Sequence, residues 1–244
     1  MEKIGLLLIS ILPIIIIAYY VYSKDFDKEP THLLIKLLIG GVLSVIPAVF
    51  IEFLVDDIFP SVDFMTKAQF AVYIFVDIAF VEEVFKWFIV YIFSFNSKDF
   101  DYVYDGVVYA CFTSLGFAAV ENVLYVTGSG NIGTGLLRAF ISVPAHACFG
   151  IIMGILLAKA KKEFIKRNDL ISAIALFLSI TLPSFLHALF DYLLCSDGKT
   201  SGQIFVIYVI ILFVFCFTKL TKIAKERKKI YLTRTLKLNA IKKS

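Results

Sequence analysis

The sequence predicts an all-α fold, a polytopic membrane bundle of about seven transmembrane helices. Three observations predict it. The 244 residues are 59% hydrophobic with a mean hydropathy of +0.86, which excludes an ordinary water-soluble domain. Seven apolar runs are long enough, or nearly so, to cross a bilayer. The loops between them are short, so no soluble domain interrupts the spans.

The runs follow in order at roughly 4–22, 33–55, 68–95, 106–127, 134–158, 170–194 and 204–218. The first lacks a strongly basic start and a small-residue cleavage site, so it reads as a retained helix rather than a removed signal. Tyr19, Tyr20 and Tyr22 at its end suit an interfacial belt. The second and third are long and apolar, with the third carrying several charges. The fifth and sixth contain Pro144 and Pro183, each of which predicts a kink. The last is short and leads into a basic tail. On this reading, 1–218 is one transmembrane domain with a catalytic core at about 68–195, and 219–244 is a cytoplasmic tail.

Net charge is only +4, but its placement is informative. The tail carries Lys219, Lys222, Lys225, Arg227, Lys228, Lys229, Arg234, Lys237, Lys242 and Lys243. The loop after the fifth run carries Lys159, Lys161, Lys162, Lys166 and Arg167. Loops 56–67 and 128–133 carry almost no positive charge. The positive-inside rule then places the N-terminus outside and the C-terminus in the cytoplasm. A basic tail beside a span meets anionic lipid, so the expected partner is the bilayer and not nucleic acid. Cys111, Cys148, Cys195 and Cys216 lack metal-ligand spacing and read as packing residues.

The residues that an apolar run should not contain are Asp77, Glu82, Glu83 and Lys86 in the third, Glu121 and Asn122 in the fourth, His146 in the fifth, and His187 and Asp191 in the sixth. A charge at a helix centre costs about 2.5–3.5 kcal/mol on insertion scales. Left isolated, Glu82, Glu83, Lys86, Glu121 and Asp191 would together cost on the order of 15 kcal/mol, so they are expected to face one another. Glu82 and Glu83 stand four and three residues before Lys86, which puts all three on one side of a helix. His187 and Asp191 share a face in the same way. Counted from the outer ends at 1.5 Å per residue, Glu121 and His187 lie about 10 Å deep and His146 and Glu82 about 20 Å. One cluster in the outer half or middle of the membrane accommodates all of them. Asp77 falls about half a turn from Lys86 and is left outside it. Arg138, near an outer helix end, reads as a snorkelling residue.

Two adjacent carboxylates in a low dielectric cannot both carry charge cheaply, and one is suited to take a proton from water. Lys86 would hold the other. His187, oriented by Asp191, could donate to a developing oxyanion. These parts make a water-activating hydrolase without a covalent nucleophile. The same residues also suit zinc, although the H-E-x-x-H signature is absent. The preferred reading has no cofactor; in the alternative, zinc is held by Glu82, Glu121, His146 and His187.

The segments EEVFK at 82–86, DGVVYACFTSLGFAAVEN at 105–122, HACFG at 146–150 and HALFD at 187–191 resemble the PrsW intramembrane proteases. That family belongs to a wider clan with the CAAX prenyl proteases and a scaffold subunit of gamma-secretase. The resemblance covers roughly 75–195, with the motifs in the family's order. It implies a bacterial multi-pass protease of the cell membrane that makes the first, extracytoplasmic-side cut in a single-pass anti-sigma factor during envelope stress. It also implies that Glu82 activates water and that His187 and Asp191 form an oxyanion site, with Glu83, Lys86, Glu121 and His146 completing the catalytic set. Where the CAAX enzymes have a histidine in F-x-x-x-H, this chain has Glu121 behind Phe117. Two other classes use similar residues. A proton-coupled transporter would more typically show inverted repeats, which the sequence lacks. A non-catalytic scaffold would have no need of the paired Glu82 and Glu83 with His187.

Overall fold

The computed structural model describes residues 2–56 and 58–241, with the tail lysines Lys242 and Lys243 outside that range. All regular structure among the described residues is helical. Six helices are long and apolar enough to span a bilayer. They begin with α1 (Glu2–Lys24) and α2 (Thr31–Asp56). The third run is a stack of three pieces: α3 (Lys67–Tyr73), a π-helical segment (Ile74–Ala79) and α4 (Phe80–Ser94). Beyond it lie α5 (Val103–Ser129), α6 (Ile132–Phe140), α7 (Ser142–Ile165), α8 (Asp169–Cys195) and α9 (Lys199–Ile241). The α3–α4 stack, 67–94, is long enough for a further crossing but carries the charges that the other spans lack at comparable density.

Local chemistry explains the boundaries. The Thr66 hydroxyl accepts from the Gln69 amide at 3.3 Å while the Gln69 side chain accepts from the Thr66 amide at 2.9 Å, a capping box that starts α3. Asp105 Oδ2 accepts from the amides of Asp101 and Tyr102 at 2.9 and 2.6 Å and so caps α5. Gly130 ends that helix in the left-handed conformation, φ 60°, which glycine adopts without a Cβ penalty. Pro144 acts more sharply than a kink. Its ring excludes the carbonyl four residues back, at Phe140, and that is where α6 stops and α7 begins anew after Ile141. By contrast, α8 runs unbroken through Pro183.

At the centre of the bundle, α5 packs against α1, α2, α4 and α7. Two of these crossings are backbone-tight. A Cβ at Gly41 would sit 2.0 Å from the Thr113 carbonyl oxygen, and one at Gly154 would sit 2.2 Å from that of Gly106. Small residues at such crossings let helices approach where lipid supplies no hydrophobic drive. The outer faces of α1, α2, α8 and α9 expose large apolar side chains such as Phe53, Phe177 and Ile211, as a lipid-facing surface should. Cys111, Cys148 and Cys216 are buried and unpaired as expected, while Cys195 is exposed at the end of α8.

The basic tail continues α9 as helix, and one of its cations departs from the expected lipid-facing role. Arg227 is buried, pairs with Asp27 at 3.0 Å, and lies against the Tyr102 ring. It docks the tail onto the loops before α2 and α5.

Candidate active site

The seven residues singled out in the sequence meet in one buried cluster drawn from α4, α5, α7 and α8. On α4 the spacing of three and four residues does what helix geometry dictates. The Lys86 ammonium donates to Glu83 Oε1 at 2.8 Å and to Glu82 Oε2 at 2.9 Å. It also donates to His146 Nδ1 at 3.4 Å and lies 4.0 Å from the centre of the Phe117 ring. Lys86 and Glu83 are fully buried, so this ammonium is solvated entirely by protein.

The two histidines are arranged alike. His146 presents Nε2 to Glu121 Oε2 at 2.7 Å, and His187 presents Nε2 to Asp191 Oδ2 at 3.3 Å. Each therefore turns Nδ1 inward. Nδ1 of His187 donates to Glu83 Oε1 at 3.1 Å and lies 3.9 Å from Glu82 Oε2. Because Lys86 has only protons to give, His146 Nδ1 must be the acceptor, which leaves the proton of a neutral ring on Nε2, facing Glu121. The rings pack edge to face at 5.2 Å, and Phe149 stacks on His187 at 4.8 Å.

Glu121 is itself held. Arg138 reaches over from α6, its guanidinium donating to Glu121 Oε1 at 3.2 Å and to Asn122 Oδ1 at 3.0 Å. Asn122 in turn donates to the Ser10 carbonyl of α1 at 2.7 Å. Arg138 therefore does not snorkel. The break at Ile141 lets α6 fold back beside α5, and a desolvated carboxylate attracts the guanidinium more strongly than the interface does.

A cavity of about 410 Å³ opens onto this cluster between α2, the π-helical segment and α5. Glu82 and Glu121 stand on its wall, whereas Glu83 lies behind them. Two wall residues escaped the sequence reading. Glu52 sits near the end of the second apolar run, a position that reads as interfacial. Asp77, excluded above, lines the cavity and is only 2% exposed. The Phe80 amide bonds the carbonyl five residues back, at Phe75. That wider turn rotates residue 77 away from where an α-helical count places it.

Glu82, His146 and His187 each bring a ligand atom within 4.8 Å of the others. Two imidazoles and a carboxylate are a donor set that zinc uses while keeping a position open. Inward nitrogens with carboxylates behind them are the orientation that metal-bound histidines show. The residues thus fit a metal ion, which would share the cluster with the Lys86 ammonium. Glu121 stands behind His146 rather than among these inner donors.

Residues 29–218 match the family model described as PrsW family intramembrane metalloprotease. A protein named Protease PrsW from Oceanobacillus iheyensis is 38% identical over 187 residues, 76% of this chain and 80% of that one. The Bacillus subtilis protein of the same name is 37% identical over 186 residues, again 76% and 80%. Its namesake in Clostridioides difficile is 34% identical over 235 residues, covering 94% of this chain and 95% of its own. No solved structure gives a significant match.

Proposed function

Because the chain belongs to the PrsW family of intramembrane proteases, and is a membrane-embedded, multi-pass bacterial peptidase, we propose that it cuts a single-pass anti-sigma factor close to the extracytoplasmic face, with Glu82 as the group that takes the proton from water. The observation that carries this reading is the difference between the two adjacent glutamates. Glu82 stands on the cavity wall, where water and a peptide bond can arrive, and Glu83 is sealed behind it.

The chemistry follows from these positions. Glu82 removes a proton as the water oxygen attacks the scissile carbonyl carbon, and returns it to the leaving amine nitrogen when the carbon–nitrogen bond breaks. Glu83 accepts from both Lys86 and His187 and so fixes both donors. His187, held from behind by Asp191, has its Nδ1 proton directed into the cluster, where a developing oxyanion would receive it. Glu121 holds His146 in the matching orientation, and Arg138 holds Glu121. The family's description as a metalloprotease favours a second form of the same hydrolysis. In it, Glu82, His146 and His187 would hold a metal ion whose Lewis acidity polarises the water and the carbonyl.

The test is co-expression with a doubly tagged single-pass anti-sigma factor, reading fragments by immunoblot. The wild type should yield a truncated fragment that Glu82→Gln and His187→Ala, at matched expression, do not. A fragment persisting in both variants would remove these residues from the chemistry. Metal content of the purified protein, compared with His146→Ala, separates the two forms.

A further inference from the structure

The cavity has a chemistry that hydrolysis alone does not require. Its wall carries Glu52, Asp56 and Asp77 in addition to Glu82 and Glu121, and among the described residues no Lys, Arg or His lines it. Glu121 is matched by His146 and Arg138, and Glu82 by Lys86. Asp56 accepts from the Tyr73 hydroxyl at 3.1 Å. Glu52 Oε1 and Asp77 Oδ1 are buried with no hydrogen-bond partner among the described residues. A buried carboxylate oxygen without a partner is costly, and both belong to side chains that line one cavity, so a donor arriving there from outside would offset that cost. We infer that this cavity is a subsite for a basic side chain of the substrate, which places a Lys or Arg near the scissile bond. The inference rests on the proteolytic reading and names a class of substrate for it.

Three features fit that occupant better than a metal ion. Among the described residues, the cluster that brings three metal-type donors within 4.8 Å of one another is Glu82, His146 and His187, so the vestibule carboxylates are too spread for one ion. Spread carboxylates suit a guanidinium with several donors, or an ammonium on a flexible stem. Between them the wall is apolar, with Val45, Val49, Phe53 and Leu124 positioned to cover an alkyl stem. The cavity also continues to Glu82, so its occupant is tethered to the reacting bond. Asp77 lies five residues from Glu82, at most about 7.5 Å along the helical stack, which is about two or three residues of extended chain. The basic residue should therefore stand two or three positions from the cut, on the side facing the 56–67 loop.

A panel of single-pass reporters tests this, each carrying Lys, Gln or Glu at one of the four positions on that side of the cut. Cleavage is read as the Lys-to-Glu ratio within each enzyme variant, so expression and folding cancel. For the wild type, Lys should be preferred about tenfold at one position, equivalent to about 1.4 kcal/mol. The preference should shrink to about twofold in Asp77→Asn and in Glu52→Gln, and should reverse in Glu52→Lys. Efficient cutting without charge preference, or a preference unchanged in all three variants, overturns the subsite. Failure of the wild type to cut any reporter overturns the proteolytic reading itself, and the subsite with it.

Discussion

Replacing Lys86 by Met removes the ammonium that two buried carboxylates share. The ammonium lies 2.9 Å from Glu82 and 2.8 Å from Glu83, with Lys86 and Glu83 fully buried. Methionine keeps the volume and loses the charge. Breaking a buried ion pair from one side costs about 3–5 kcal/mol, toward the lower end here because His187 Nδ1 still donates to Glu83 at 3.1 Å. The contact with the Phe117 ring at 4.0 Å adds to the loss. For a chain of 244 residues, the loss corresponds to a fall in Tm of about 10 °C. The assay is thermal unfolding in detergent of Lys86→Met beside the triple variant Glu82→Gln, Glu83→Gln, Lys86→Met. Removing the whole charged set at once is often neutral or stabilising, so the triple variant should regain most of the lost stability while remaining unable to cleave. A single variant within about 1 kcal/mol of wild type, the scale of an exposed pair, would refute the reasoning.

Three further outcomes are expected. Arg138→Ala frees Glu121 and Asn122 and should cut cleavage about tenfold, a value of about 1.4 kcal/mol; Arg138→Lys should recover little, since the guanidinium reaches the two acceptors, at 3.0 and 3.2 Å, through two separate nitrogens in a fixed fork. Gly154→Leu drives a side chain into the Gly106 carbonyl, where even a Cβ would sit 2.2 Å away, and should destabilise by more than about 3 kcal/mol in a thermal melt. Glu29, in the loop before α2, is raised from 4.5 to about 9, by burial first and the Asp105 charge second. The folded state therefore holds this proton more tightly than the unfolded state. Its stabilising effect is complete below about pH 4.5 and is lost as pH rises through 9. Melting temperature should fall from pH 6 to pH 9 in the wild type and fall less in Glu29→Gln.

The bundle and the cluster were legible for one physical reason: charge inside an apolar run must be answered by other charge. Glu82, Glu83, Lys86, Glu121, His146, His187 and Asp191 each stand out against apolar flanks, and the structure brings them together. Glu52 has apolar flanks as well, but its place one turn from the end of the second run makes it read as an interfacial residue. Asp77 has the contrast too, and it stays outside the cluster; its place on the cavity wall is set by the π-helical segment, which follows from no local residue preference. Arg138 was assigned to the interface because its partners lie 16 and 17 positions away across a helix break. Arg227 was one of ten similar tail cations, and only tertiary packing distinguishes it.

The length of α9 has a mechanical consequence. At 1.5 Å per residue, its 43 residues extend about 64 Å, roughly twice the hydrocarbon thickness of a bilayer. The half beyond the apolar stretch is thus a helical rod that continues roughly 30 Å past the last apolar turn, anchored where Arg227 grips Asp27. A force or load applied at the rod's tip would be delivered to the loops that hold the ends of α2 and α5. Those helices carry Glu52 and Glu121 near their other ends, about 30 Å away, so a load on the tail would reach the cavity only as a tilt of α2 and α5.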